Sequence, residues 1–403
     1  MKIALASSDG KLVAKHFGHT PLFVIAEVDE NGWQILETRA NTPACDRGAY
    51  QHSHAQFSAS AELISDCAAV IAARIGPFAQ SGLSALGITP LEKTGFCAEI
   101  LDGYARYLAR KNAPGRGYRP PGRHPCFDAG GGGEYGRLHL PVSAVCNIKC
   151  RFCVRDINAT EARPGVTAGI LRPAQAADAV ARALKLCPVL SVVGVAGPGD
   201  ALADGAALET FRHVRGRFPH LALCLSTNGL GLIDRVAELR DVGVRHLTVT
   251  VNAVDPAVGA KIVSHVTLGG SVYTGPAAAQ LLLDRQLAGL EAAAAAGMEI
   301  KVNTVLIPGV NDRHIAGIAR AAAALGAKTH NIMPLIPQGE FADAAAPDCL
   351  ALEKARAEAE AYLPVFRHCA HCRADACGIP GVNDFSRELY SGALEFRCGN
   401  ACG

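Results

Sequence analysis

Leu138-His-Leu-Pro-Val142-Ser-Ala-Val-Cys146-Asn-Ile-Lys-Cys150-Arg-Phe-Cys153 runs a short apolar segment into three closely spaced cysteines. Leu138 to Val142 reads as a buried strand, and the cysteines fall in the loop that follows it. Three thiolates on a cubane of four irons leave one iron open to a substrate, so this spacing suits chemistry as well as electron storage. Close cysteines also occur in disulfide frameworks and zinc sites. A disulfide framework suits small secreted domains, whereas this chain has 403 residues and opens on Met1-Lys-Ile-Ala-Leu-Ala-Ser-Ser-Asp-Gly10, without the long apolar core of a signal peptide. Its 15 cysteines are therefore expected in a reducing cytoplasm.

From Leu138 onward strand and helix signals alternate. Leu138 to Val142, Val189 to Val195, Leu221 to Ser226, His246 to Asn252, Glu299 to Ile307 and Asn331 to Leu335 read as strands. Ala-rich helical stretches lie between them, among them Pro173 to Lys185, Glu209 to Arg217, Ala277 to Ala296 and Ile315 to Gly326. Six βα units in succession predict parallel strands and right-handed crossovers, hence an α/β protein with a partial TIM-type (β/α)6 barrel over residues 126–380. Chemistry in such barrels sits at the C-terminal strand ends, where the three-cysteine loop falls.

Upstream, residues 1–110 read as a small α/β domain: strands at Lys2 to Ala6, Leu22 to Val28, Ala68 to Ile75 and around Ile88, with helices at Ser60 to Asp66 and Pro77 to Ala85. Lys111 to Pro125, rich in Pro, Gly and Arg, reads as a linker, Gly130 to Gly133 as a hinge, and residues 381–403 as a C-terminal tail. Hydrophobic residues at 49% and charged residues at 19% describe a globular chain, and 39 basic against 37 acidic residues give a net charge of +2, no broad field for nucleic acid or acidic membrane. No apolar run approaches the roughly 20 residues of a membrane helix.

The C-x3-C-x2-C spacing of Cys146, Cys150 and Cys153, with the aromatic Phe152 before the last cysteine, is the signature of radical S-adenosylmethionine (SAM) enzymes. Val195-Ala-Gly197-Pro-Gly199-Asp200 follows the second barrel strand, and in radical SAM enzymes this strand end binds the methionine amine of SAM. Thr227 and Asn228, then Thr250 and Asn252, close later strands with small polar groups suited to ribose and carboxylate, and Ile262 offers an apolar surface to adenine. A second set of metal-capable residues lies apart from the triplet: Cys126, His139, Cys224, Cys369 and Cys372. The Cys369-Ala-His-Cys372 pair closes a tight chelate, while Cys224 alone on an apolar strand reads as core.

Residues 124 to 378 resemble the NifB family, radical SAM maturases of the nitrogenase cofactor. The likeness lies in His-Pro-Cys126-Phe, Gly-Arg-Leu-His139-Leu-Pro-Val, Glu161-Ala-Arg163-Pro-Gly-Val, Ser-Val-Val-Gly-Val-Ala-Gly-Pro-Gly-Asp200, Thr248 to Asp255, Lys301-Val-Asn-Thr-Val-Leu-Ile-Pro-Gly and Cys372-Arg-Ala-Asp-Ala. Residues 1 to about 106 resemble the NifX-like domains that bind cofactor precursors, through Met-Lys-Ile-Ala-Leu-Ala, His16-Phe-Gly-His19 and Ile-Gly-Pro. His16, His19, His52 and His54 are its candidate cluster contacts.

The resemblance implies an enzyme that fuses two [4Fe-4S] clusters, with a carbide from SAM and an added sulfur, into an [8Fe-9S-C] precursor. The triplet would hold the cluster that works with SAM. Cys126, Cys369 and Cys372 would hold one substrate cluster, and His139 with Cys224 the other. Glu161 and Arg163 would assist proton movement and loop order. Implied partners are iron–sulfur donors, nitrogenase cofactor assembly proteins and an electron donor such as a ferredoxin or flavodoxin, with no nucleic acid and no membrane. The family generally carries a further cysteine shortly after the triplet, and here Cys153-Val-Arg-Asp-Ile-Asn-Ala159-Thr-Glu161 has none. Three readings of this stand open: a substitute among Cys187, Cys377, Cys398 and Cys402, a cluster held by two ligands, or a drift toward an iron–sulfur carrier or a radical SAM enzyme with another substrate.

Overall fold

A computed structural model of the chain describes residues 1–43, 54–112, 124–127 and 135–391. In the N-terminal domain, β1 (Lys2–Ser7) is buried along nearly its whole length. It pairs antiparallel with β2 (Leu22–Asp29), which turns into β3 (Gly32–Ala40). On its other side β1 pairs in parallel with β4 (Ala69–Ala72), and β4 with β5 (Thr89–Glu92) at the sheet edge. The helices are α1 (His54–Glu62), α2 (Pro77–Ala85) and α3 (Cys97–Asn112). Two of these elements escape a periodicity reading. The edge strand β3 is largely exposed and so shows no apolar alternation. In α3 the stripe of Ile100, Leu101 and Tyr104 is short against the six polar or charged residues Glu99, Asp102, Arg106, Arg110, Lys111 and Asn112, and only its packing on the sheet makes the face legible.

The barrel strands are β6 (Gly136–His139), β7 (Leu190–Val195), β8 (Ala222–Thr227), β9 (Val244–Thr250), β10 (Glu299–Leu306) and β11 (Thr329–Pro334), hydrogen-bonded in that order and all parallel. A short strand, β12 (Cys377–Gly378), closes the free edge of β6 antiparallel. Helices α4 (Ala176–Leu186), α5 (Ala206–Arg217), α6 (Leu232–Val242), α7 (Pro256–Ile262), α8 (Gly275–Ala295), α9 (Ile315–Ala324), α10 (Cys349–Glu360) and α11 (Ser386–Tyr390) complete the barrel domain. The predicted half-barrel of six βα units is thus the fold observed.

Successive side chains of each strand face opposite ways. On the outer face Leu138, Val193, Leu223, Leu225, Leu247, Val249, Ile300 and Val302 are buried under the helices. Each stabilises the sheet by roughly 1.5–3 kcal/mol, so a one-residue slip exchanging the faces is heavily disfavoured. The inner face is unlike the aliphatic interior of an ordinary TIM barrel. His139, Gly194, Cys224, His246 and Glu299 stand side by side in one register row across five strands, with Ser226, Thr248, Lys301 and Thr329 in the row above.

The buried core is continuous between the domains, with Leu5, Leu101 and Tyr104 in one cluster with Leu138 and Leu190. The N-terminal helix α3 runs to Asn112, so the stretch expected as linker begins in helix and ends with His124 and Pro125 buried. Residues 113–123, the Gly130 to Gly133 run and residues 392–403 lie outside the described residues. The segment expected as a tail begins packed, with Val382, Leu389 and Tyr390 buried. Among the described residues no helix is long and apolar enough to cross a membrane.

Candidate functional site

The triplet loop is pinned from three sides. Ile148–Cys150 forms a strand against Val263–Leu268, and Cys146 and Cys150 pack on the buried Ile148, Leu230, Val263 and Val266. From the β7 end, the Gly199 and Asp200 amides donate to the Ser143 and Val145 carbonyls at 2.7 and 2.8 Å. A Cβ on Gly199 would stand 2.0 Å from the Val145 oxygen, so this approach demands glycine. Gly197, at φ +122°, lies where a Cβ would meet Ala374 at 3.4 Å. From the β8 end, the Asn228 side-chain amide reaches the Cys146 sulfur at 3.7 Å and Asn147 Oδ1 at 2.7 Å.

Asp200, expected at a ligand's ammonium, is buried and already accepts from the Thr227 hydroxyl at 3.0 Å and from the Leu202 and Asn228 amides. It welds the ends of β7 and β8 together beneath the triplet, with burial raising its carboxyl above the usual carboxylate value. Asn228, Thr250, Asn252 and Ile262 line one cavity of about 50 Å³ together with Cys150 and Gln286. Phe152 packs against the apolar cluster that contains Ile262. Four of the residues read from sequence as cofactor contacts therefore converge beside the triplet.

Burial pushes the Cys146 thiol up to about 11, with Asp200 adding to it, and holds Cys150 well above its ordinary value, with Cys153 and Cys146 next in effect. Three half-buried thiols in one loop resist ionising together, and iron ions would supply the positive charge that relieves them. The donor set and its apolar backing fit a cluster bound through three thiolates. Among the described residues no three His, Cys, Asp or Glu side chains converge as around a single metal ion.

A second set of donors lies in the lumen. The His139 ring stands on β6 and Cys224 on β8, flanking Gly194 of β7. A Cβ at Gly194 would meet His139 Cδ2 at 3.5 Å and Cys224 Cβ at 3.6 Å, so glycine leaves a cradle between two candidate ligands. His139 Nδ1 lies 3.0 Å from the Arg373 carbonyl, which only accepts, so Nδ1 carries the hydrogen and Nε2 keeps its lone pair. Burial, then the Arg137 charge, pushes this histidine down to about 4, so it is neutral at pH 7.

Cys126, Cys369 and Cys372 influence one another electrostatically and so form one group. Burial pushes Cys126 up to about 11, and Cys224 up to about 12. Two buried cations face these sulfurs, and neither was found by motif reasoning. The Arg137 guanidinium donates to the Cys372 sulfur at 3.1 and 3.4 Å and to the Gly378 carbonyl at 2.8 Å. Lys301, 5% exposed, donates to the Cys126 carbonyl at 3.0 Å while lying over the Phe127 and Phe366 rings at 4.6 and 5.0 Å. The available signal was their alternation: both occupy inward strand positions where a barrel normally places aliphatic residues.

Residues 1–107 match the family described as dinitrogenase iron-molybdenum cofactor, and residues 140–322 match the radical SAM superfamily. The FeMo cofactor biosynthesis protein NifB of Methanocaldococcus infernus is 42% identical over 269 residues, which cover 66% of this chain and 89% of that protein. The chain belongs to the NifB family. NifB of Chlorobaculum tepidum is 44% identical over 64% of this chain and 62% of its own length, and that of Klebsiella pneumoniae 44% over 64% and 57%. The chain thus spans little more than half the length of some curated relatives it matches. Among solved structures, Streptococcus suis SuiB bound to S-adenosylmethionine covers 97% of this chain and 76% of its own at 12% identity and TM-score 0.43.

Measured against the family pattern, Glu161 and Arg163 form an ion pair, with Arg163 also donating to the Val154 carbonyl and Asn158 to Glu161 at 3.0 Å. They fasten the loop that follows the triplet. Ala159 lies in that loop. Cys377 pairs with Leu138 and shares its outward face, opposite His139, while the Cys187 sulfur packs where a Cβ of Gly136 would be. Both are fully buried. Cys398 and Cys402 lie outside the described residues. In the N-terminal domain His16 Nδ1 accepts from the Gly18 amide at 3.0 Å as a turn cap, with the His19 ring 5.5 Å away; His52 is not described, and His54 begins α1.

Proposed function

We propose that this chain is a radical SAM maturase that joins two [4Fe-4S] clusters, with carbon from SAM and an added sulfur, into the [8Fe-9S-C] precursor of the nitrogenase cofactor. The observation that carries this reading is the polar lumen, where donors stand on inward positions that ordinary barrels fill with aliphatic side chains. Cys146, Cys150 and Cys153 would hold the resident cluster, which when bound supplies the electron that cleaves SAM to methionine and a 5′-deoxyadenosyl radical.

The chain's own groups have definable tasks. Gly199, Asp200 and Asn228 fix the triplet loop. Asn228, Thr250, Asn252 and Ile262 line the small neighbouring cavity, where they would meet part of SAM. His139 offers Nε2 and Cys224 its thiol to one substrate cluster across Gly194, and Cys126, Cys369 and Cys372 take the other. Arg137 and Lys301 balance the negative charge of cluster thiolates in a buried site. Glu161, paired with Arg163, is the carboxylate placed to move a proton near the loop. The electron donor would be a ferredoxin or flavodoxin, the setting the cytoplasm, and the partners cluster donors and nitrogenase cofactor assembly proteins.

Anaerobic reconstitution tests the reading. About twelve irons with SAM-dependent 5′-deoxyadenosine support it. Four irons with SAM cleavage indicate a different substrate, and iron without cleavage indicates a carrier. Ala159 favours that last reading over a random alternative, since it weakens one substrate site while leaving the remaining donors in place.

A further inference from the structure

Two cavities open on the barrel and share no residue. One is the cavity beside the triplet. The other, about 520 Å³, lies between the N-terminal domain and the barrel. This second volume falls within the range of small-molecule sites, roughly 300–1,000 Å³. Its outer wall is the end of α2 and strand β5, including Gln80, Ser84, Thr89 and Glu92. Its inner wall is the loops around residues 159–162 and 370–376.

Three observations tie this cleft to the donors. Cys372 and Arg137 line it, so it reaches into the lumen's ligand set. Ala159 lines it too, so the loop that follows the triplet forms part of its wall. His371, at φ +48°, is the one non-glycine residue with positive φ among the described residues, and it presents the turn between Cys369 and Cys372 to the same space. Beside the cleft, Gly381 of its lining lies close enough to Lys93 that a Cβ there would stand 3.2 Å from the lysine side chain.

We propose that the interdomain cleft is the entrance through which a four-iron, four-sulfide unit reaches the lumen, with the N-terminal domain as its outer wall and SAM admitted separately beside the triplet. This rests on the assignment of Cys126, Cys369 and Cys372 as cluster ligands. Entry is a ligand exchange without redox change: an iron–sulfur bond to Cys372 forms, the bond from that iron to the donor thiolate breaks, and the proton of the Cys372 thiol leaves on the departing thiol.

The test uses the full chain with Cys146, Cys150 and Cys153 replaced by alanine, so that the triplet contributes no iron, and uptake at the lumen is the part lost with Cys369→Ala/Cys372→Ala. One arm supplies a synthetic [4Fe-4S] cluster carried by small thiolates, the other ferrous iron and sulfide. Ser84→Trp/Thr89→Trp narrows the cleft from the wall that holds no ligand. Uptake of the preformed cluster is expected to slow about ten-fold while uptake of the small ions is unchanged. Wild-type rates in both arms overturn the entrance, as does equal slowing in both, which marks a damaged site. Should the double variant not fold by circular dichroism, Thr89→Leu and Thr89→Phe are expected to slow uptake in order of side-chain volume, and equal rates overturn the proposal. A triplet-free chain that takes up no iron in either arm, with Cys369→Ala/Cys372→Ala changing nothing, sinks the ligand assignment and the entrance with it.

Discussion

Gly194 shows what a single missing Cβ does in this lumen. Alanine there meets only ordinary contacts at 3.4 Å or more, so Gly194→Ala should fold, yet its methyl occupies the cradle between His139 and Cys224. The expected outcome is loss of about one four-iron unit with the triplet cluster's SAM-induced spectral shift intact, read by iron content and electron paramagnetic resonance. Gly199→Ala behaves differently. Its Cβ would collide with the Val145 carbonyl at 2.0 Å, so the triplet loop must shift and SAM cleavage should fall by more than about ten-fold. At Ala159 the change runs the other way: Ala159→Cys should slow the loss of iron to a chelator, and an unchanged rate would show that the loop does not face the His139 and Cys224 site. The triplet and the Cys369–Cys372 pair stand out in the sequence because their spacings are chemical, whereas Cys224 alone reads as core and the two donor sets come only through the family resemblance. Gly194, Arg137 and Lys301 do not stand out, since their meaning depends on which face of a strand they occupy and what stands on the next strand.

Among the elements, the six parallel strands could be read within one to three residues because each carries branched or long apolar residues on its outer face. The hairpin of Val263–Leu268 and Ser271–Thr274 had no such signal: it is half-exposed, and it forms because one strand completes its hydrogen bonds with Ile148–Cys150 of the triplet loop. This makes the hairpin a support for the triplet. The loop of residues 158–163 is held by Arg163 through Glu161 and the Val154 carbonyl, and by Arg373 through the Asn158 and Glu161 carbonyls. Arg163→Lys keeps the charge and loses the forked geometry. It should leave iron content unchanged and lower the rate of SAM cleavage several-fold, about 1 kcal/mol in the barrier, measured by single-turnover kinetics. An unaltered rate would assign the pair to stability alone.

At the scale of the molecule, burial keeps several histidines neutral. His330, fully buried against the Thr304 hydroxyl, is pushed down to about 4 by burial, as is His139, from an ordinary 6.5. Their folded values are depressed, so the stability they allow is complete above pH 6.5. Between 6.5 and about 4 the unfolded chain binds protons that the folded chain refuses, and stability falls as pH falls. Denaturation midpoints of the full chain should therefore drop from pH 7.5 to pH 5, and a flat profile would contradict this burial. The same low-dielectric interior holds a thiol, an imidazole and two cations on inward positions of the barrel, where a packed barrel would have none. The most direct measurement of that arrangement is the iron and sulfide content, with Mössbauer spectra, of the full chain lacking Cys146, Cys150 and Cys153 after anaerobic reconstitution. About eight irons in two four-iron clusters are predicted, one lost with Cys224→Ala and the other with Cys369→Ala/Cys372→Ala; a triplet-free chain that binds no iron would contradict the account.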